Sequence, residues 1–381
     1  MRALPLPSPT PGSRRRTGAA LAVAFLALAV LAPSAAAETG VRVLAEGLDN
    51  PRGIAIAPTG SIWVAEAGRG GNGPCFPGPE GDDVCLGDSG AITRVFRRGG
   101  FERIVTGLPS IAAPNGSQAI GPSDVSFGTT GHLYATQGLS ANPAIRAGLP
   151  DFAAATAGHL LRIHRAAHTW SSIADVAGFE AAENPDGGLP DSNPQGLLAR
   201  GGGWTVADAG ANALLRVSSG GSIRGLAVFP DRMADAPPFL GLPPGTQIPM
   251  QAVPTTVVRR GDSYYVGQLT GFPFPVGAAS VWRVPAAGGE PEVWADGFTN
   301  IIDIALGPNG SLYVLEIAHN SLLSGDLTGA LYRVDREGGK HLLLTDPLQA
   351  PGGLAVDRDG SLLVTNCGVC PGGGQLLRVT P

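Results

Sequence analysis

The 381-residue chain has little of what nucleic-acid-binding proteins and several enzyme classes need. Lys340 is its only lysine, charged residues make up 15% of it, and no run of three basic residues occurs after Arg16. Because phosphate backbones are bound through clustered positive charge, nucleic acid is not an expected partner. The sequence also lacks a nucleophile elbow, a zinc-protease motif and a phosphate-binding loop, so it indicates none of these enzyme classes.

Glycine and proline, by contrast, are abundant, with 57 Gly and 34 Pro spread along the chain without a fixed period. This content excludes coiled coils, helical bundles and collagen, none of which tolerates so many aperiodic turn-forming residues. Hydrophobic residues make up 43% of the chain, which is too much for a disordered protein. The composition predicts a globular protein rich in turns, with a large buried core.

The first 37 residues have the three parts of a secretory signal. Residues 14–16 are arginines, 19–31 form an apolar run, and 35–37 are the small residues of a cleavage site. An uncleaved membrane anchor is the alternative, but the apolar run is shorter than the roughly 20 residues that a spanning helix needs. We predict that residues 1–37 are a signal peptide and that residues 38–381 form one secreted, extracellular domain with no membrane span.

A repeated unit of two short apolar strands, joined by a tight turn, organises the rest of the chain. It recurs six times, at residues 51–66, 122–137, 194–208, 254–268, 300–316 and 351–366. A third strand with a central arginine follows each copy, at Arg94, Arg162, Arg216, Arg283, Arg333 and Arg378. Five copies continue through a short turn into a fourth strand, and four antiparallel strands make one blade of a β-propeller.

The sixth unit ends at Pro381 without a fourth strand, whereas an unassigned strand, residues 41–45, stands before the first unit. If this strand completes the last blade, the ring closes and no strand edge stays open. An open β-solenoid, the alternative, would leave both terminal half-blades uncovered. The sequence therefore predicts an all-β fold: a six-bladed β-propeller of four-stranded antiparallel blades, closed by the N-terminal strand.

The longer segments of the repeats are predicted to gather on one face. Turns between first and second strands are short in all six units. By contrast, the loops between second and third strands are long in five units, and three linkers between units are long, at residues 107–121, 180–193 and 231–253. Because strands alternate in direction, these two sets of connections lie at opposite ends of a blade. Long loops in a compact domain are usually functional, so we expect ligands to bind at the loop-bearing face over the central channel.

The four cysteines lie in two of these loops, Cys75 with Cys85 and Cys367 with Cys370. An even number of cysteines in an exported protein predicts disulfides, and pairing within each loop is the simplest arrangement. Cross-pairing stays open because the first and sixth blades are neighbours. A redox pair at Cys367 and Cys370 and a four-cysteine zinc site are further alternatives, but a redox pair usually works at a helix N-terminus, which this loop lacks.

Polar residues end the second strand of every unit, namely Glu66, Gln137, Asp208, Gln268, Glu316 and Asn366. Such a column of oxygen-bearing side chains could ring the channel mouth and bind a cation. The alternative is structural, because short turns such as the one after Asp208 allow the side chain to accept backbone N–H groups. The structural role is the favoured reading of this column.

Two carboxylates, Asp124 and Asp303, stand inside the apolar first strands of the second and fifth units, which face each other across a ring of six. An acid in such a strand is costly unless it is paired or hydrated. We predict that both line the channel, where a shared cation, with Ca²⁺ the candidate cofactor, would offset their repulsion. Separate pairing of each acid with an arginine is the alternative.

Three segments, at residues 193–217, 266–284 and 297–317, contain the strings NPQGLLA, GFPFPVG and GFTNIID. With these strings the chain resembles the ScyD/ScyE family of exported propeller proteins over nearly the whole mature sequence. The resemblance implies a secreted propeller and no particular reaction. More distantly, the repeats resemble NHL propellers, SMP30-like metal-dependent lactonases and quinone-dependent sugar dehydrogenases.

These distant resemblances imply specific site residues, which the sequence supports poorly. The strand position that holds the lactonase metal ligands carries no carboxylate here, reading Arg52, Ser123, Gln195, Thr255, Ile302 and Gly352. The dehydrogenases use a histidine base near a cation, and His319 is the histidine best placed for that role.

Two functions follow from these observations. The first is a secreted binding module whose loops, with Phe272 and Phe274 between prolines, hold a small apolar molecule or a protein partner, since stiff aromatic loops lose little entropy on binding. The second is a cation-assisted hydrolase or oxidoreductase that uses Asp124, Asp303 and Glu316 at the channel mouth.

Overall fold

Residues 40–78, 81 and 83–381 are described by a computed structural model. The predicted signal peptide, residues 1–37, lies outside the described residues. Strand β1 (Gly40–Leu48) opens the described chain. Among the described residues, no helix combines the length and the apolar character that crossing a membrane would require.

The first three blades follow in chain order. Blade 1 contains β2 (Pro51–Ile56), β3 (Ile62–Glu66), β5 (Asp83–Val95) and β6 (Phe101–Ala112), with the short β4 (Cys75–Pro77) paired to β5. Blade 2 contains β7 (Pro122–Phe127), β8 (Leu133–Gln137), β9 (His159–His164) and β10 (Thr169–Asp175). Blade 3 contains β11 (Pro194–Arg200), β12 (Gly203–Asp208), β13 (Ala213–Ser218) and β14 (Ile223–Val228).

A separate hairpin, β15 (Arg232–Asp235) with β16 (Gln247–Met250), precedes the last three blades. Blade 4 contains β17 (Pro254–Arg260), β18 (Ser263–Gln268), β19 (Ala279–Pro285) and β20 (Glu292–Phe298). Blade 5 contains β21 (Ile301–Leu306), β22 (Leu312–Glu316), β23 (Ala330–Val334) and β24 (Lys340–Leu344). Blade 6 contains β25 (Gly353–Val356), β26 (Leu362–Asn366), β27 (Gly374–Thr380) and β1.

Short helices lie in the connections. Blade 2 has a 3₁₀ helix at Pro143–Gly148 and helix α1 (Asp151–Ala154) between β8 and β9, and helix α2 (Val176–Glu183) follows β10. Two further 3₁₀ helices occur at Pro238–Leu240 and Leu322–Ser324. None of these helices belongs to a blade, so the repeat remains purely β.

The predicted closure of the ring is confirmed. Strand β1 pairs antiparallel with β27, from Gly40 opposite Thr380 to Leu48 opposite Gly374. The strand is longer than the predicted 41–45 because pairing continues past two bulges. The chain is therefore an all-β, six-bladed propeller whose last blade combines three C-terminal strands with the N-terminal one.

Apolar residues pack between neighbouring blades rather than around one centre. One cluster joins blades 1 and 2 through side chains that include Trp63, Ile92, Leu133 and Leu161, all buried. Similar clusters fill the other interfaces. The six first strands contact one another in a closed circle and enclose the channel.

The loops and linkers meet at one end of the propeller. The side chain of Asn50 donates to the carbonyls of Gly68 and Gly116, and its backbone N–H donates to the carbonyl of Cys370. These groups belong to the blade 1 loop, the following linker and the blade 6 loop. We call this end the loop-rich face; it comprises residues 67–78, 113–121, 138–158, 180–193, 229–253, 269–278, 317–329 and 367–373.

Both predicted disulfides are present on this face. Cys75 bonds to Cys85 across the β4–β5 pair, and Cys367 bonds to Cys370 within the blade 6 loop. The loop between the second and third strands of blade 1 contains more strand than the sequence predicted. Strands β5 and β6 extend well beyond the blade, and β4 pairs with this extension of β5. The long glycine-rich segment is thus a strand extension held by a disulfide.

Candidate functional site

Asp124 and Asp303 lie at equivalent positions, each following a bulge at the start of its first strand. Asp124 accepts hydrogen bonds from the N–H groups of Val125 (2.7 Å) and Leu197 (2.8 Å), the latter in blade 3. Gly53, the equivalent residue of blade 1, leaves room for this acid, since a Cβ there would lie 2.0 Å from Asp124 Oδ1. The glycine is therefore required by the close approach of a neighbouring blade.

Asp303 is held by both of its neighbouring blades. Its Oδ1 accepts from the hydroxyl of Thr256 in blade 4 (2.6 Å) and from the N–H of Ile304 (2.8 Å). Its Oδ2 accepts from the N–H of Leu354 in blade 6 (2.7 Å). The acid thus links three blades at the wall of the channel.

Burial raises the pKa of Asp303 to about 6. It raises the pKa of Asp124 well above its usual value as well, and the nearby charge of Asp303 adds to this effect. The two acids therefore resist carrying two negative charges together near neutral pH. The alternative, in which each acid pairs with an arginine, does not match their hydrogen bonds, which come from backbone N–H groups and the Thr256 hydroxyl.

The polar column at the ends of the second strands is buried throughout. Four members accept the N–H of a residue that precedes the first strand of the same blade: Asp49 N to Glu66 (2.6 Å), Asn193 N to Asp208 (2.6 Å), Thr299 N to Glu316 (2.7 Å) and Gln349 N to Asn366 (2.7 Å). These side chains fasten each linker to its blade. Buried backbone N–H groups need such acceptors, so this geometry favours the structural reading.

Two acidic members of the column have charged or titratable partners. Glu66 pairs with Arg103 (2.7 Å) and accepts from the Thr93 hydroxyl. Glu316 Oε2 lies 2.7 Å from Nδ1 of His319, whose ring is also 3.2 Å from the Tyr332 hydroxyl. Burial raises the pKa of Glu316, and the His319 contact partly opposes this.

The position that holds metal ligands in the lactonases carries a cation in blade 1. Arg52 donates to the carbonyl of Ala119 in the linker between blades 1 and 2 (2.9 Å). Burial lowers the pKa of Arg52 to about 10. Among the described residues, no three acidic, histidine or cysteine side chains converge in a way that could hold a metal ion.

A groove of about 500 Å³ opens on the loop-rich face beside the β15–β16 hairpin. Its apolar wall comes from the hairpin, from the loop of blade 4 and from the loop of blade 5, and includes Met233, Pro237, Met250, Pro273, Pro275 and Leu323. Met233 and Leu323 are 60% and 44% exposed. Large apolar side chains that stay open to solvent at one place mark a binding surface.

Phe272 and Phe274 support this groove rather than line it. Phe272 makes an edge contact with Phe274 (6.3 Å between ring centroids) and another with Phe239 (6.2 Å), so the three rings join the blade 4 loop to the linker that carries the hairpin. The sequence pointed to the phenylalanines, whereas the structure places the adjacent Pro273 and Pro275 in the wall.

Arg232 brings a positive charge to the groove. Its guanidinium donates to Oε1 of Gln268 (3.2 Å) and to the carbonyl of Ala278, while its Nε is buried without a hydrogen-bond partner. Burial lowers the pKa of Arg232, although Asp296 partly opposes this. The groove thus combines an apolar wall with a cation whose hydrogen bonds go to neutral oxygens.

The hairpin and its Met233, Met250 and Arg232 were missed by the sequence analysis, which treated residues 231–253 as an irregular linker. One signal was present: of the three methionines in the chain, two lie in this linker. Methionines are common at adaptable apolar binding surfaces.

The predicted site residues fall into separate places. Asp124 and Asp303 share the channel, whereas Glu66, Asp208 and Glu316 each serve their own blade. His319 lies in the same loop as Leu323 of the groove wall, and its hydrogen bonds go to Glu316 and Tyr332 rather than to the channel acids.

The chain was compared with protein-family models and with curated proteins, and it matches none of them. Among solved structures it is similar to a structural genomics protein of unknown function from Bacteroides thetaiotaomicron, with a TM-score of 0.53, 7% identity, and coverage of 90% of this chain and 76% of that one. It is also similar to regucalcin, a calcium-binding protein from Agrobacterium tumefaciens (TM-score 0.48, 14% identity, 90% and 95% covered). A third is virginiamycin B lyase from Staphylococcus aureus (TM-score 0.47, 12% identity, 90% and 100% covered). The first shows a shared fold, and the other two are too distant to add to it.

Proposed function

We propose that the chain is a secreted binding module of the ScyD/ScyE family that holds a small apolar molecule with an anionic group in the groove beside the β15–β16 hairpin. The groove itself is the observation that carries this proposal. Its volume of about 500 Å³ is in the range of small-molecule sites, which are apolar with a few placed polar groups. The two disulfides and the signal-like N-terminus support secretion.

The anionic group of the ligand is inferred from Arg232. Arg232 donates to neutral carbonyl and amide oxygens, and Asp296 acts on it without forming an ion pair among the described residues. Its positive charge is therefore available to a ligand, and at an apolar wall this charge is screened less than at an open surface. Asp235, at the far end of β15, also lines the groove, so the charge is asymmetric along it. This asymmetry predicts a ligand that is apolar at its centre and acidic at the Arg232 end.

Dye binding tests the proposal directly. We expect the anionic dye anilinonaphthalene sulfonate to bind the full chain with a rise in fluorescence, and Met233→Glu to weaken that binding about tenfold, because it places a carboxylate in the apolar wall. Leu342→Ala is the matched control, since Leu342 is 56% exposed on β24, away from the groove. Wild-type affinity in Met233→Glu would exclude the groove as the site.

A second pair of dyes separates the two parts of the proposal. Arg232→Gln should weaken the anionic dye and leave the neutral dye Nile red unchanged, because only the former interacts with the guanidinium. Equal loss of both dyes would mean that Arg232 only shapes the wall.

The alternative function, a cation-assisted hydrolase or oxidoreductase, is favoured by the raised pKa values of Asp124 and Asp303 in one enclosed channel. It predicts one cation per chain that is lost in Asp303→Asn. Metal analysis of the purified chain and of this variant distinguishes it from the binding module.

A further inference from the structure

The linker between blades 2 and 3 carries an unusual set of acidic groups. Glu180 lies in α2, Asp186 and Asp191 lie in the segment that follows, and Asp208 ends β12 beside them. The other three acids act electrostatically on Glu180, since Asp208, Asp186 and Asp191 each raise its pKa. None of the four forms an ion pair with a basic side chain in the part of the chain that the structure describes.

Glu180 is turned inward by the helix that carries it. Helix α2 begins after Asp175, whose side chain accepts the Gly178 N–H (2.7 Å), and it is capped after Glu183 by Asn184, which has a left-handed conformation. The buried residues of the helix are Val176, Ala177 and Glu180, which share one face because four residues make about one turn. Glu180 thus occupies a position where this helix otherwise buries apolar side chains.

The carboxylate of Glu180 is completely buried, at 0% exposed, and neither of its oxygens has a hydrogen-bond partner of good geometry. Burial raises its pKa to about 7, the surrounding acids add to this, and the nearby backbone N–H of Asp191 only partly opposes it. A buried carboxylate without a partner is among the most costly arrangements in a folded protein.

The other acids of the cluster differ in how their oxygens are used. Asp186 accepts from the Gly188 N–H (2.9 Å) and from the Asn212 side chain (2.9 Å), so both of its oxygens are occupied. Asp208 is occupied in the same way, because Ser192 Oγ donates to one oxygen (2.7 Å) and backbone N–H groups donate to the other. These two acids therefore contribute negative charge rather than free oxygens.

Within residues 176–191, the buried side-chain oxygens that remain without partners are Oε1 and Oε2 of Glu180, Oδ1 of Asn184 and Oδ1 of Asp191. Asn184 lies one turn after Glu180, and its N–H donates to the Glu180 carbonyl (2.9 Å). All four atoms are acceptors, so they cannot satisfy one another. Protonation of Glu180 would supply a single donor for the whole set.

We propose that Glu180, Asn184 and Asp191 bind a divalent cation of the calcium type in this linker. Two carboxylates balance the charge of such an ion, and carboxylate and amide oxygens are the ligands that Ca²⁺ prefers. Ca²⁺ takes six to eight oxygens, so water or backbone carbonyls complete its coordination. With only two carboxylates as ligands, the site is consistent with the absence of any group of three acidic, histidine or cysteine side chains arranged for a metal among the described residues.

The site is independent of the groove and of the channel. It lies between blades 2 and 3, whereas the groove is formed by segments between blades 3 and 5, and none of its residues lines the groove. Binding would fix the linker against β12, and through Ser192 and Asn193 against the column residue Asp208.

Calorimetry on the full chain, after chelation and desalting, tests the proposal with CaCl₂ as the probe. We expect one Ca²⁺ per chain, with affinity at least about tenfold lower in Glu180→Gln, and a rise in the thermal midpoint of a few degrees when Ca²⁺ is about one hundredfold above Kd. Glu183→Gln is the matched control, because Glu183 is exposed on the same helix and should leave both values unchanged.

Asp191→Asn provides a second variant that leaves α2 intact, and it should also weaken binding. Absence of Ca²⁺ binding by the wild-type chain would overturn the proposal and leave water or a proton as the partner of these oxygens. Binding that persists in Glu180→Gln and is lost in Asp303→Asn would also overturn it, in favour of the channel.

Discussion

Two groups of buried acids, in the channel and in the blade 2–3 linker, face the same loss of hydration and meet it differently. Asp124 and Asp303 receive hydrogen bonds on both oxygens, from their own strands and from neighbouring blades. Glu180 receives none of good geometry on either. The channel carboxylates connect neighbouring blades through hydrogen bonds. The carboxylate of Glu180, in the linker, is placed for a partner that the chain itself does not supply.

The largest effect on stability is expected from filling the space beside the channel acid Asp124. Gly53→Ala should lower the free energy of unfolding by at least about 3 kcal/mol, because the new Cβ would lie 2.0 Å from Oδ1 and 2.8 Å from Cα of Asp124. Gly225→Ala, in β14, is the control, since a Cβ there meets nothing within 4 Å. Denaturant unfolding measures both, and equal midpoints would show that the two blades can separate at no cost.

Removing a channel acid should cost somewhat less. Asp303→Ala leaves the Thr256 hydroxyl and the N–H groups of Ile304 and Leu354 without their acceptor, for an expected loss of about 3 kcal/mol. Asp262→Ala, at an exposed hairpin turn, should change the free energy of unfolding by less than about 0.5 kcal/mol. An unchanged unfolding midpoint in Asp303→Ala would mean that water replaces the carboxylate as acceptor.

The linker group should show its difference in a pH dependence. The pKa of Glu180 is raised from 4.5 to about 7 on folding, so between these values the folded chain binds more protons than the unfolded one. Stability without calcium should therefore fall as pH rises through this window, by on the order of 1–3 kcal/mol. Thermal unfolding in chelator from pH 4.5 to 8 measures the slope, and saturating Ca²⁺ should flatten it.

The smallest effect is expected from Glu180→Gln itself. Without calcium this variant should be more stable than the wild type at pH 8, by about 1 kcal/mol, because it removes a buried charge from among other negative charges. Glu183→Gln should show no such gain. A loss of stability in Glu180→Gln would mean that other groups of the chain already balance the charge of the Glu180 carboxylate. Glu180 would then resemble the channel acids, which have their partners within the chain.

Local sequence patterns predicted the architecture well. Each repeat carries its own turn chemistry and alternation, and the strand at 41–45 was the natural complement of a last unit without a fourth strand. The loop cysteines paired as proposed for a similar reason, because Cys75 and Cys85 face each other across one hairpin. Strands, turns and disulfides that form between residues close in sequence could thus be predicted from the sequence.

The candidate sites were less predictable because their partners come from other blades. The sequence placed Asp124 and Asp303 in the first strands, but nothing in it indicated that Leu197 and Leu354 N–H groups would reach them. It read 231–253 as a linker, because the β15–β16 strands are four residues each with a proline in one of them. Glu180 was not singled out, since one acid in a short helix is unremarkable until its burial is known.

The pairing of β1 with β27 also determines when the sixth blade can form during synthesis of the chain. Gly40 pairs with Thr380, so β1 cannot complete its blade until β27 has been synthesised. Until then a growing chain exposes unpaired edges at both ends, which is the condition under which β-rich chains aggregate. Closure of the ring therefore depends on β27, and a variant that lacks residues 374–380 should leave the edges of β1 and β26 without a partner.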